Sequence, residues 1–296
     1  MNKIKSTGYL YAFGASLALA ASFIFSKSVL NKVSMIQFGF VWFSMGIIWN
    51  TIWFILKRDY RELKTNLSRK LAVAISIALL EGLATGLFYI AIKAMENPAI
   101  VSFIGNIGPV FVTILGITLL KERFNIAQIS GILITVGGVF IINYKSGGLA
   151  GFFDTGSVYV LIASLIYAIA TIVGRKFNKS LVPGLMSLIR SVLLSITFFI
   201  LLLINNESAS VGIDVWKDMA FGSILETLLT IVLAYQALKM IEATRTSLII
   251  SSKSVWTLIL AWIFLGVFPE TYQLLGGLLT LLGVWLITWD RSLLRK

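Results

Sequence analysis

Ten apolar runs, each about 18–25 residues long, fill nearly the whole chain: 8–26, 35–56, 71–94, 97–119, 126–144, 157–174, 183–204, 216–240, 244–267 and 271–289. As an α-helix, a run of that length crosses a hydrocarbon core ~30 Å thick. Within lipid every backbone N–H and C=O must be satisfied internally, and a helix does this within one segment. The expected fold is therefore an all-α integral membrane protein with ten transmembrane helices. Composition agrees, because 58% of the 296 residues are hydrophobic and 13% charged, outside the range of soluble domains. Most linkers are short; the longer ones are 57–70, 145–156 and 205–215.

The chain is duplicated. Tyr89-Ile-Ala-Ile-Lys93-Ala-Met-Glu96 returns 146 residues later as Tyr235-Gln-Ala-Leu-Lys239-Met-Ile-Glu242, and Gly131 and Gly137 fall opposite Gly277 and Gly283. Residues 1–147 and 148–296 form the two repeats, with Lys145-Ser-Gly-Gly opening the join. Each repeat holds five helices, an odd number, so the second must insert upside down relative to the first. Inverted repeats of this kind support alternating access around a site near the bilayer midplane. In the hairpin 97–144, Pro98 suits the first turn of a helix, whereas Pro109 lies inside one, which a membrane helix tolerates.

Pro109, the turn Lys121-Glu122-Arg123, Gln128, Gly131 and Gly138 resemble the signature of EamA-type carriers of the drug/metabolite transporter superfamily. The second repeat keeps Glu270, Gly276, Gly277 and Gly283, but has Val255 where Pro109 would recur and no basic residue beside Glu270. The resemblance covers both halves. It implies ten helices in two inverted five-helix repeats, and movement of small metabolites or drugs out of cells.

Charge sets the orientation. The net charge is +12, and with a cytoplasmic N-terminus 18 basic residues lie on the cytoplasmic side against five outside, namely Lys27, Lys32, Lys93, Lys145 and Lys217. Both termini are then cytoplasmic and the loop 145–156 is external, in a cell (plasma or inner) membrane. Ala18-Leu19-Ala20 mimics a signal-peptidase site, but the run continues past it and has a repeat counterpart at 156–174. The basic stretch Lys57–Lys70 reads as a cytoplasmic loop touching anionic headgroups, not a nucleic-acid site. With no cysteine and no histidine, the chain has no disulfide, no Cys/His metal site, no thiol nucleophile and no Ser-His triad. No P-loop is present, so no enzyme, catalytic residue, metal or cofactor is expected.

Four charges sit inside apolar runs: Glu81, Arg190, Glu226 and Lys253. A charge at the membrane centre costs at least ~2.5–3.5 kcal/mol on insertion scales and is functional by default. Leu80-Glu81-Gly-Leu-Ala-Thr85 matches Leu225-Glu226-Thr-Leu-Leu-Thr230, so each acid has a threonine one turn away, but the offset is 145 rather than 146. Two arrangements suit these charges. Either they form buried ion pairs that staple the bundle, or at least one acid faces a central cavity and binds a proton, another cation or an amino group. Connectivity places Lys253 nearest Glu226, which would make Glu226 the ion-paired acid and Glu81 the protonatable or substrate-facing one. Ser251-Ser252-Lys253-Ser254 falls opposite Gly105-Asn106-Ile107-Gly108, so both repeats put polar or backbone-loosening residues where irregular helices line a cavity. Tyr89 and Tyr235 are repeat mates whose hydroxyls need partners when buried. Trp53, Trp216 and Trp289 fall near helix ends as an interfacial belt, and Trp42 and Trp256 lie deeper.

The expected site thus comprises Glu81, Tyr89, Asn106, Arg190, Glu226, Tyr235 and Lys253, lined by helices 3, 4, 8 and 9. The expected function is a secondary transporter that exports a small organic metabolite, such as an amino acid, by alternating access. The alternative is proton-coupled efflux of multiple cationic drugs. Expected partners are a small-molecule substrate and the lipid bilayer, with no nucleic acid, and the chain is expected to act as a monomer.

Overall fold

The computed structural model describes residues 3–64, 66–120, 126–142, 155–177, 182–241 and 243–288. Among these, all regular structure is helical and, apart from a short 3-10 turn at Asp59–Lys64, falls into ten rods. In chain order, α1 is Lys3–Leu30, α2 Met35–Leu56 and α3 Leu67–Ala94; α4 comes in two segments, Pro98–Gly105 and Gly108–Leu120; α5 is Ile126–Ile142. In the second half α6 is Thr155–Lys176 and α7 Pro183–Asn205. Next, α8 spans Ile213–Met240, with Ile224–Thr230 wound as a π-helix. Two segments again make up α9, Ala243–Ser251 and Lys253–Leu265, and α10 is Thr271–Thr288. Seven helices are long and apolar enough to cross a membrane, and shorter apolar helices occupy Ile129–Ile142, Ile249–Leu265 and Thr271–Leu286. This is the build of a multi-pass membrane protein. The turn Lys121-Glu122-Arg123, residues 145–154 of the expected external loop, and Trp289 lie outside the described residues.

Local chemistry sets the helix ends. Ser34 and Gln37 form a reciprocal capping box at the start of α2, and Asn97 caps α4 by accepting from the Ala99 amide at 2.9 Å. Pro98 and Pro183 sit in the first turns of α4 and α7. Gly266, at φ +66°, closes α9 in the left-handed conformation that costs glycine least.

Small residues decide how the rods meet, because lipid gives helices no hydrophobic drive to associate. A Cβ on Gly39 of α2 would lie 2.5 Å from Phe198 of α7, one on Gly46 would lie 3.0 Å from Ser191, and one on Gly184 would lie 3.3 Å from Trp53. As numbers rise along α2 they fall along α7, so these two helices run antiparallel. The same holds for α5 and α10. There a Cβ on Gly138 would come within 2.6 Å of the Gly276 carbonyl, and one on Gly283 within 2.6 Å of the Gly131 carbonyl. The two backbones touch through these glycines.

The remaining contacts exchange between halves. The first helix of each half packs on the third and fourth helices of the other: α1 on α8 and α9, α6 on α3 and α4. Both fourth helices are interrupted. The first segment of α4 ends at Gly105, with Asn106 as its C-cap, and the second segment of α9 starts after Ser252. Asn106 and Ser252 are 146 residues apart, the spacing of the repeat. At the crossing, Ser254 donates to the Ser102 carbonyl at 3.0 Å and to Asn106 Oδ1 at 3.1 Å, and Asn106 donates to Thr280 at 3.2 Å.

Candidate functional site

Arg190 stands at the centre of the bundle, fully buried on α7. Its Nη2 donates to Glu226 Oε1 on α8 and, at 2.7 Å, to Thr85 Oγ1 on α3. On its other side Nε lies 3.8 Å from Glu81 Oε2 on α3 without making a hydrogen bond. One guanidinium thus bridges both acids. The Tyr235 hydroxyl gives to Glu81 Oε1 at 2.6 Å, and Glu226 has a second donor, the Trp42 indole, at 3.4 Å from Oε2. Thr85 shares a further bond of 2.5 Å with the Tyr167 hydroxyl on α6.

These contacts correct the pairing that connectivity suggested. Glu226 is bound to Arg190, not to Lys253. Its carboxylate faces α7 and α2, whereas Lys253, the first residue of the second α9 segment, faces α1 and α3. Lys253 Nζ lies 5.7 Å from the ring centroids of both Phe23 and Phe88. It makes no ion pair with any described residue.

A cavity of about 230 Å³ opens beside this cluster, walled by α1, α3 and α4 from the first half and α6, α8 and α9 from the second. Glu81, Tyr89, Glu226, Tyr235 and Lys253 line it. Two expected site residues stand elsewhere. Arg190 lies behind the glutamates, and Asn106 is spent in the crossing of α4 and α9. Gly105, Gly108 and Pro109 take its place on the wall. Trp42 is buried against Phe38 and Glu226 and lies off the wall, and Trp256 meets Phe13 edge-on. Sequence reading missed Tyr167, Phe23 and Phe88. Tyr167 gave only a weak signal, one of several hydroxyls in its apolar run, each needing a partner when buried; the two phenylalanines look like any core residue.

The mismatch in repeat offset has a structural cause. Tyr89 is eight residues on from Glu81, but Tyr235 is nine on from Glu226, and the π-helical stretch of α8, Ile224–Thr230, overlaps that second interval. A π turn accommodates one extra residue in a helix. Thr230 Oγ1 reaches back five residues to the Leu225 carbonyl at 2.9 Å, and the Thr227 carbonyl, turned outward, accepts from Ser187 and from Asn50 at 3.2 Å. The two glutamates are therefore repeat mates, displaced by one residue.

Comparison with known proteins adds the family. The model of the EamA-like transporter family matches twice, over residues 6–144 and 154–289. The chain belongs to this family. A similar protein is the uncharacterized transporter YyaM of Bacillus subtilis, 23% identical over 93% of this chain and 92% of the relative. Another is an uncharacterized transporter of Archaeoglobus fulgidus, 26% identical over 92% of this chain and 94% of the relative. A third, from Synechocystis, is 28% identical over 71% of this chain and 63% of its own. A solved structure described as "Crystal structure of protein" shares the fold with a TM-score of 0.65 at 17% identity, covering 95% of this chain and 96% of that one. The family and these relatives point to a transporter rather than an enzyme.

Proposed function

We propose that this EamA-like protein is a secondary transporter that exports a small organic metabolite, an amino acid or related compound, by alternating access. Its ten helices would form two inverted repeats, 1–147 and 148–296, in the cell membrane, with both termini cytoplasmic and the chain acting as a monomer. Supporting the inversion, the repeat mates α2 and α7 run antiparallel, as do α5 and α10, and contacts exchange between halves. The outward direction rests on the resemblance to EamA-type carriers.

The observation that carries this reading is a charged cavity walled by both halves, beside two interrupted helices. Interrupted helices at a repeat interface are where transporters place their binding sites. The triad holds two carboxylates against one guanidinium, so one acid is in excess in an apolar interior. Glu81 is the candidate for that acid. Its side chain is 12% exposed against 7% for Glu226, and Arg190 approaches it without a hydrogen bond. An uncompensated carboxylate there takes up a proton or meets an ammonium group of the substrate.

The excess acid also favours the second reading, efflux of organic cations. Against it stands the size of the cavity, about 230 Å³, below the ~300–1,000 Å³ typical of drug-sized ligands. Efflux from preloaded cells decides between them. Outward flux of amino acids that is lost in Glu81→Gln supports the proposal, and flux of cationic dyes alone supports the alternative.

A further inference from the structure

Arg190 is the cation that both glutamates approach, and Lys253 is left apart from them. Among the described residues, the helices at that end of the cavity bring it no counter-ion. From α1 comes Phe23; from α3, Phe88, with Glu81 facing Tyr235 and Arg190 instead; from α4, Gly105, where an added Cβ would lie 3.8 Å from Nζ. The acids of α8 other than Glu226 are turned elsewhere, Asp214 to Lys32 and Asp218 to Ser28. Ring faces attract an ammonium but give its three N–H donors no acceptor. Lys253 nonetheless lines the cavity, as do Gly108 and Pro109, so the second segments of both α4 and α9 begin at its wall. Their helix N-termini add positive partial charge beside the lysine.

We propose that Lys253 binds the carboxylate of the transported molecule. The cavity then has two ends. At one, Lys253 and the two helix N-termini receive an acid group; at the other, Glu81 receives an ammonium. Phe88, whose ring centroid lies 5.7 Å from Lys253 Nζ, is seven residues beyond Glu81 on α3, about 10 Å further along the helix at ~1.5 Å per residue. Apolar side chains such as Leu19, Val112 and Ile250 form much of the wall. The cargo class is a compact zwitterion with an apolar body, in the manner of an apolar amino acid.

This inference rests on the transporter reading, and the test separates the two. Purified protein in liposomes is offered leucine, methionine and phenylalanine, their amides, which lack the carboxylate, and their 2-oxo acids, which lack the ammonium. The wild type should bind the amino acids at least tenfold more tightly than the amides. Lys253→Met should abolish that preference by weakening the amino acids while leaving the amides unchanged, and Lys253→Arg should restore part of it. The 2-oxo acids should lose affinity in Glu81→Gln far less than the amino acids do. Because Lys253→Met removes a charge without an acid partner, its melting temperature should equal or exceed that of the wild type. A Lys253→Met protein that still prefers acids over amides, or one that melts well below the wild type, overturns the proposal. So does a wild type that binds no carboxylate-bearing probe. Flux of amides or cationic dyes in the same liposomes then reports whether transport itself stands.

Discussion

The three-membered cluster makes unequal demands on its two acids, and stability measurements expose the inequality. At 3.8 Å and an effective dielectric of ~20, the attraction between Arg190 and Glu81 is about 4 kcal/mol before desolvation is subtracted. Glu226 is closer and accepts a charge-assisted hydrogen bond, which is roughly twice as strong as a neutral one. Removing one member of a buried pair costs roughly 3–5 kcal/mol because the other charge is stranded. Glu226→Gln takes away the stronger contact but leaves Arg190 with Glu81, so a cost of about 3 kcal/mol is expected. Glu81→Gln removes the carboxylate in excess and leaves a one-to-one pair; about 1 kcal/mol or less is expected. At ~2–4 °C per kcal/mol, detergent-solubilised melting temperatures should fall by roughly 6–12 °C and under ~4 °C respectively. Arg190→Met strands two carboxylates and should be the worst single change, and adding Glu226→Gln to it should recover part of the loss. Adding Lys253→Met to Glu226→Gln should recover nothing. Equal falls for the two glutamate variants, or a double variant with Arg190→Met no better than the sum of its parts, would refute the assignment.

Other consequences are quickly checked. In this cysteine-free chain, Ala209→Cys, in the exposed α7–α8 connection, should react with an impermeant maleimide on intact cells, and Tyr60→Cys only after permeabilisation; the reverse pattern would invert the topology. Gly138→Ala should lower the melting temperature, since overpacking costs about 1–3 kcal/mol, whereas Gly137→Ala, with no heavy atom within 4 Å of the new Cβ, should be neutral or stabilising. Tyr235→Phe removes the 2.6 Å donor from Glu81, and a buried hydrogen bond to a charged group is worth about 1.5–3 kcal/mol. Folded yield should hold while transport falls and its dependence on pH shifts. Transport by Glu81→Gln, if it persists at all, should be insensitive to pH between 5 and 8.

Most helix boundaries could be read from apolar run length alone. The run 35–56 coincides with α2, and 183–204 and 216–240 come within three residues of α7 and α8. Lipid makes this possible, because a run that fails to form a complete helix strands its backbone groups. Less legible were interruptions inside a run. Gly105-Asn106-Ile107-Gly108 and the serines around Lys253 flagged the right places, but the same residues would serve in unbroken helices. Partner choice was legible least. Chain connectivity favoured Lys253 for Glu226, and only the rotation of α8 about its axis, fixed by packing against α2 and α7, hands that acid to Arg190. The one-residue slip between the repeats was visible in the alignment of Glu81 with Glu226, yet had no meaning until the wide turn was seen.

That wide turn bears on how duplicated halves come to differ. One residue added to an ordinary helix swings everything beyond it by ~100°, which would carry Tyr235 and the rest of α8 off their partners. Here the extra residue is absorbed locally, within Ile224–Thr230, and the hairpin that follows keeps its 146-residue register with the first half. A single-codon insertion can in this way re-aim one acid and leave the other helices undisturbed. Two copies that began alike then hold their carboxylates differently, Glu226 hydrogen-bonded by Arg190 and Glu81 approached by it without a hydrogen bond, and duplicated halves are not obliged to use their two acids alike.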